Sequence, residues 1–135
     1  MNRADLQQLA EERLEDARIL FANKRFGAAY YIVGYAVECG LKAWIARLTK
    51  AEDFYDKTLA RSIFTHDLKD LAKYAGFDVK QLGQADPTFA ANWAQVKDWD
   101  EESRYETHTQ IEAEQMIKAV GDPDHGVMQC IRRYW

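Results

Sequence analysis

At 135 residues and 15.6 kDa, the chain has the length of a single domain, 1–135, able to bury roughly 68% of its unfolded surface without a disulfide or metal staple. Its composition is 47% hydrophobic and 30% charged, with 19 Ala but only 7 Gly and 2 Pro, which excludes collagen-like, disordered and disulfide-framework classes and predicts a few long helices. A net charge of -4 excludes a protein held on DNA mainly through phosphates, while leaving room for a local basic groove.

Met1 to Asp5 runs into a charged amphipathic segment with no apolar h-region, so no secretory signal is read there. Cys39 and Cys130 lie in largely apolar surroundings without metal-ligand spacing, which predicts reduced, buried thiols in a cytoplasmic protein. Asp5 is read as the cap of a first helix whose apolar stripe is Leu6, Leu9, Ala10, Leu14, Ala17, Leu20 and Phe21. Arg13 projects into that stripe, either as an arginine that snorkels or pairs at a helix interface or as a contact to a ligand or partner.

After the polar connection Asn23-Lys24-Arg25, the stretch Phe26 to Leu48 carries only Glu38 and Lys42 as charges before Arg47, so it is expected to be a central, covered helix. Two charges, three glycines and interior tyrosines argue against a membrane span. Ala29, Val33, Ala36, Gly40 and Ala43 share one face, small enough for close approach by another helix. The opposite face carries Tyr31, Tyr35, Glu38 and Lys42, which reads as half-buried tyrosines beside an i, i+4 ion pair or as one wall of a ligand site.

Thr49 to Thr65 reads as a loop or short helix packed on the bundle through Phe54, Tyr55, Ile63 and Phe64. Thr65 or His66 then begins a third helix that Gly76 stops. Asp86-Pro87 opens a fourth helix through Phe89, Ala90, Trp93 and Val96, with Trp99 as its last apolar residue or just past its end. Thr109 and Glu112 form a capping box for a fifth helix that runs to Gly121, and Asp122-Pro123 repeats the cap-and-proline device for a last one through Val127, Ile131 and Tyr134. The expected fold is an all-α, up-and-down bundle of five or six helices.

No Gly-rich phosphate loop, HExxH or paired CxxC is present, and the three histidines are too dispersed for a metal site, so no metal and no cofactor is expected. His66 is read as helix-start structure and His125 as a surface residue in the first turn of the last helix. The segment Trp99 to His108 offers Arg104 and His108 just before a capped helix. An arginine can fork a phosphate and a histidine can move a proton, the chemistry of ribose phosphodiester cleavage. Against it, Lys97 to Glu114 holds seven acidic and two basic side chains, a net of -5 that repels nucleic acid. Alternatively Arg104 pairs with a buried acid such as Glu38 while Tyr105 packs on the core. Glu38 itself needs a partner on so apolar a helix, and Lys42, Arg104 and Arg13 are the candidates.

Three stretches carry a family resemblance: Gly27-Ala28-Ala29-Tyr30-Tyr31-Ile32-Val33-Gly34-Tyr35-Ala36-Val37-Glu38-Cys39-Gly40-Leu41-Lys42-Ala43, then Thr65-His66-Asp67-Leu68, then Ser103-Arg104-Tyr105. Together they resemble the HEPN family, from about Leu6 to the last helix. The resemblance implies a helical bundle that usually dimerises, is often encoded beside a small nucleotidyltransferase, and serves toxin-antitoxin, phage-defence or RNA-processing systems. Some members are metal-independent ribonucleases with an Arg, four to six residues, then His, frequently with a polar residue directly after the Arg and with the site formed across the dimer. Arg104 and His108 depart from that pattern, with three residues between them and Tyr105 in place of the polar one. Arg61 to His66 has the spacing, but His66 sits in a stretch that non-catalytic members share. The late Arg-Tyr pair resembles a subgroup for which nucleotide, RNA or partner binding is implied, with Tyr31, Tyr35, Glu38, Lys42, Arg104 and Tyr105 lining or supporting the site. A ribonuclease toxin using Arg104 with His108 is the alternative, and a purely architectural dimer or antitoxin-like partner a third.

Overall fold

Asn2 opens the first helix. Its side-chain oxygen accepts from the Asp5 backbone N–H at 2.9 Å, and the Asp5 carboxylate accepts from the Asn2 N–H at 2.9 Å. Asp5 is therefore the reciprocal member of a capping box three residues into α1 (Arg3–Ala22) rather than the cap that the sequence suggested. The computed structural model describes residues 1–48 and 64–135, and the expected loop or short helix from Thr49, with Phe54, Tyr55 and Ile63, lies outside the described residues. Lys24, in the left-handed region at φ 63°, turns the chain into α2 (Phe26–Leu48).

As expected, α2 is central: Ala29, Val33, Ala36, Gly40 and Ala43 are all buried, as are Val37, Leu41, Trp44 and Ile45. It packs along α1, whose buried face is Ala10, Leu14 and Ala17, and also meets most of the later helices. Small side chains on one face of α2 let neighbouring backbones approach closely, and Gly40 faces Ile131 and Met128 near the C-terminus. No helix among the described residues is long and apolar enough to cross a membrane.

The third helix, α3 (Leu68–Tyr74), is capped by Asp67, whose carboxylate accepts from the Lys69 and Asp70 N–H groups, so neither Thr65 nor His66 begins it. Gly76 ends it in the left-handed conformation, φ 74°. A short helix that the sequence pattern did not signal follows, α4 (Val79–Ala85), capped by Asp78; it has no fully buried residue, and hence no apolar period to read. The Asp86-Pro87 device opens α5 (Pro87–Val96) as expected.

Beyond α5, Trp99 is buried and leads into a 3-10 helix (Glu101–Tyr105). The Thr109 and Glu112 capping box starts α6 (Gln110–Gly121). The second cap-and-proline reading fails: Asp122 accepts from the Asp124 and His125 N–H groups and so closes a turn, and α7 (Val127–Arg132) begins only after Gly126, leaving Tyr134 outside it. His125 accordingly lies in that turn and not in a helix. A forked contact from Arg132 to Glu11, at 2.6 and 2.7 Å, ties α7 back to α1. The described residues are all-α, with seven α-helices, one 3-10 helix and no strand among them. Cys39 and Cys130 are buried and free.

Candidate functional site

The polar line of α2 divides in two. Tyr31 stacks on Trp99, ring centroids 5.7 Å apart, and so is bound up with the chain that follows α5. Tyr35, Glu38 and Lys42 instead line a cavity of about 310 Å³ between α1 and α2, with Leu6, Leu9 and Cys39 as its less polar wall. Burial, with Cys39 close by, pushes the Tyr35 hydroxyl up to about 12, and burial pushes the Cys39 thiol up to about 11. Both are therefore neutral hydrogen-bonding groups near neutral pH.

Glu38 is 3% exposed, and a carboxylate so placed is costly unless its charge is matched. The Lys42 ammonium donates to Oε2 at 3.1 Å, one of the partners anticipated from spacing. The other oxygen accepts from Nδ1 of His66 at 3.0 Å. Sequence reasoning missed this second partner, because His66 comes from the segment before α3, 28 positions away, and no periodicity joins the two. Neither of the anticipated arginines reaches Glu38: Arg13 pairs with Asp16 on its own helix, which spacing on α1 alone favours.

Arg104 and Tyr105 also correct the sequence reading. The Arg104 guanidinium lies 4.9 Å from the centroid of the Tyr105 ring, a cation–π contact, and it forms no ion pair with a described acid. Tyr105 is 73% exposed and does not pack on the core. A 3-10 helix of five residues is too short to bury both of its faces, so its last two side chains stand in the open.

His108 occupies the opposite situation. Its side chain is only 6% exposed and stacks on Tyr30 with centroids 3.7 Å apart and rings 11° from parallel. Nδ1 lies 3.2 Å from the Glu112 carboxylate, and Nε2 lies 3.6 Å from that of Glu106 and has no hydrogen-bond partner. The bond to His108 holds the Glu112 carboxyl below its usual range, and burial followed by the nearby Glu106 and Glu112 raises the Tyr30 hydroxyl. A general base needs a ring nitrogen within reach of a substrate proton, and here one nitrogen is engaged and the other enclosed. Arg61 of the second spaced pair lies outside the described residues, and His66 is the partner of Glu38.

Among known proteins, a family model for the HEPN domain matches residues 4–122. No significant match was found among curated proteins or among solved structures. The matched span takes in α1 through α6, including the α2 line, the His66 segment and the Arg104-Tyr105 pair. An all-helical architecture and a family match over most of its length agree: the chain belongs to the HEPN domain family.

Proposed function

We propose that this is a binding rather than a cleaving HEPN domain, a homodimer that engages a nucleotide, an RNA or a cognate nucleotidyltransferase in a toxin-antitoxin, defence or regulatory system. The α1–α2 cavity with Tyr35, Glu38 and Lys42 is the binding site of this reading. Tyr31, Arg104 and Tyr105, which the resemblance implies for the site, are not among the residues that line this cavity: Tyr31 stacks on Trp99 and Arg104 lies over Tyr105. The observation that carries the proposal is the enclosure of His108 between Tyr30 and two carboxylates. Such a histidine supports structure, whereas a ribonuclease needs one that meets the 2'-hydroxyl or the leaving oxygen. The acidic surroundings of Arg104 point the same way.

Induced expression of the wild type, His108→Ala and His66→Ala tests the distinction. Equal growth and intact cellular RNA in all three are expected. RNA cleavage by the wild type that His108→Ala abolishes would establish the ribonuclease reading instead. Calorimetric titration with ATP, GTP and short RNA tests the binding part: heat with at least one of them, weakened about tenfold or more in Lys42→Met, is expected, and no heat for any removes the ligand from the proposal. Sedimentation equilibrium should give twice the 15.6 kDa chain mass.

A further inference from the structure

Three lysines come together where α3, α4 and α5 meet. Lys69 and Lys73, one turn apart on α3, and Lys97, just past α5, rim an open cavity of about 530 Å³ floored by Phe77, Val79 and Trp93. It shares no lining residue with the α1–α2 cavity. Phe77 packs against the rings of Trp44, Phe89 and Trp93 with centroids 5.1 to 5.7 Å apart, so the floor is held rigid before any partner arrives. In a chain of net charge -4, this is a local basic groove of the kind that the composition left room for.

The cations are largely uncommitted. Lys73 and Lys97 have no ion-pair partner among the described residues, and Lys69 meets Asp98 at 3.4 Å with 56% and 71% of the two side chains exposed, a pair that a competing carboxylate opens readily. Asp78 is the one acid among the described lining residues, and its carboxylate accepts from the Gln81 N–H at 2.9 Å to cap α4. Three ammonium groups thus surround an apolar floor with one engaged carboxylate beside them, an excess of positive charge that complements an anionic partner.

We propose that this cavity docks an acidic peptide segment of another protein, with an apolar side chain seated on Phe77, Val79 and Trp93 and flanking carboxylates meeting Lys69, Lys73 and Lys97. The chemistry differs from that of a phosphate or nucleic-acid site. No arginine stands among the described lining residues to fork a phosphate, and the end of α3 that reaches the cavity, at Lys73 and Gly76, is its carbonyl end rather than its N–H end. Phe77 and Trp93 are 6% and 5% exposed, so neither offers an open ring face for a base to stack on. They offer a flush apolar surface between separated charges. Side chains two residues apart on an extended peptide lie about 7 Å from each other, close to the one-turn separation of Lys69 and Lys73, about 6 Å.

Fluorescence anisotropy of a dansyl-labelled Glu-Glu-Phe-Glu-Glu peptide, titrated with the full chain, tests the proposal. Saturable binding is expected, weaker by about fivefold or more when Gly replaces the central Phe, and weaker by about tenfold or more in Lys73→Glu and in Lys97→Gln. Lys118→Glu, exposed on α6, makes the same change of net charge as Lys73→Glu and is expected to bind as the wild type does. Lys73 is exposed, so its variant decides the matter if Lys97→Gln fails to fold. Absence of saturable binding below about 1 mM overturns the proposal. Unchanged affinity in Lys73→Glu overturns it, and so does an equal loss in Lys118→Glu, which would reduce the effect to overall charge. Displacement of the peptide by an RNA of about eight nucleotides at lower concentration than by unlabelled peptide assigns the groove to nucleic acid and overturns it as well. Sedimentation separates another protein from a second copy: a wild-type assembly that Lys73→Glu splits makes this chain its own partner and overturns the proposal. Each of these outcomes stands whatever the α1–α2 cavity binds.

Discussion

Gly34 is the residue whose smallness has the clearest consequence. A Cβ there would fall 2.2 Å from Nε1 of Trp99, inside the ring's own volume, whereas a Cβ at Gly27 on the same helix meets only the Glu106 carbonyl at 3.7 Å. Gly34→Ala is therefore expected to destabilise by about 1–3 kcal/mol as Trp99 and the chain behind it are displaced. Gly27→Ala is expected to be neutral or to stabilise by up to about 1 kcal/mol, because alanine restricts the unfolded chain more. Urea unfolding of the pair checks the contrast. A shared sequence context gives no warning of it: both glycines sit in one apolar run, and only the position of Trp99, 65 residues on, separates them. Likewise, Glu38 was legible as a buried charge wanting a partner and Lys42 as one partner, since i, i+4 spacing is local. His66 was not legible, because its approach depends on where the segment before α3 lands.

Elements were read best where a local chemical device marks their ends. The Thr109 hydroxyl accepts from the Glu112 N–H at 3.2 Å, and the Glu112 carboxylate returns to the Thr109 N–H and also bonds His108. Removing that hydroxyl in Thr109→Ala is expected to cost about 1 kcal/mol, with Thr109→Ser close to wild type, by thermal or urea unfolding. The Asp86-Pro87 start of α5 was equally plain. Asp122-Pro123 has the same two residue types but makes a turn, because the Asp122 side chain satisfies the N–H groups of Asp124 and His125 at once. Asx turns and helix caps use the same side-chain acceptor, so dipeptide chemistry does not distinguish them. The helix α4 escaped notice for a different reason, since a seven-residue element with no fully buried residue leaves no stripe.

At the scale of the molecule, the chain is closed by ties between segments distant in sequence. His125 Nδ1 donates to Asp86 at 2.7 Å, and Asn92 reaches the His125 carbonyl, so the turn before α7 is pinned to the start of α5. The Asp86 bond raises the His125 pKa above 6.5, so its stabilising contribution is fully present below that value and fades as pH rises through the folded value. The Asp86 carboxyl is lowered below 3.8, by His125 first, and its contribution is present above 3.8 and fades as pH falls through the folded value. The tie thus counts most between about pH 4 and 6.5. His125→Gln is expected to lower the melting temperature at pH 5.5 more than at pH 8.5, and an equal loss at both would show that charge has no part in it.

The helical class, the central place of α2, the caps at Thr109 and Asp86, and the residues that resemble the HEPN family are all legible along the chain. Each of these rests on interactions within a few positions, or on an apolar count that only one kind of element satisfies. That His66 and not an arginine completes the charge of Glu38, that Tyr105 stands in the open, and that His108 is closed in against Tyr30 follow only from how the chain packs in three dimensions. Those outcomes depend on where chain segments tens of residues apart come to rest, and no spacing along the chain encodes a distance across it.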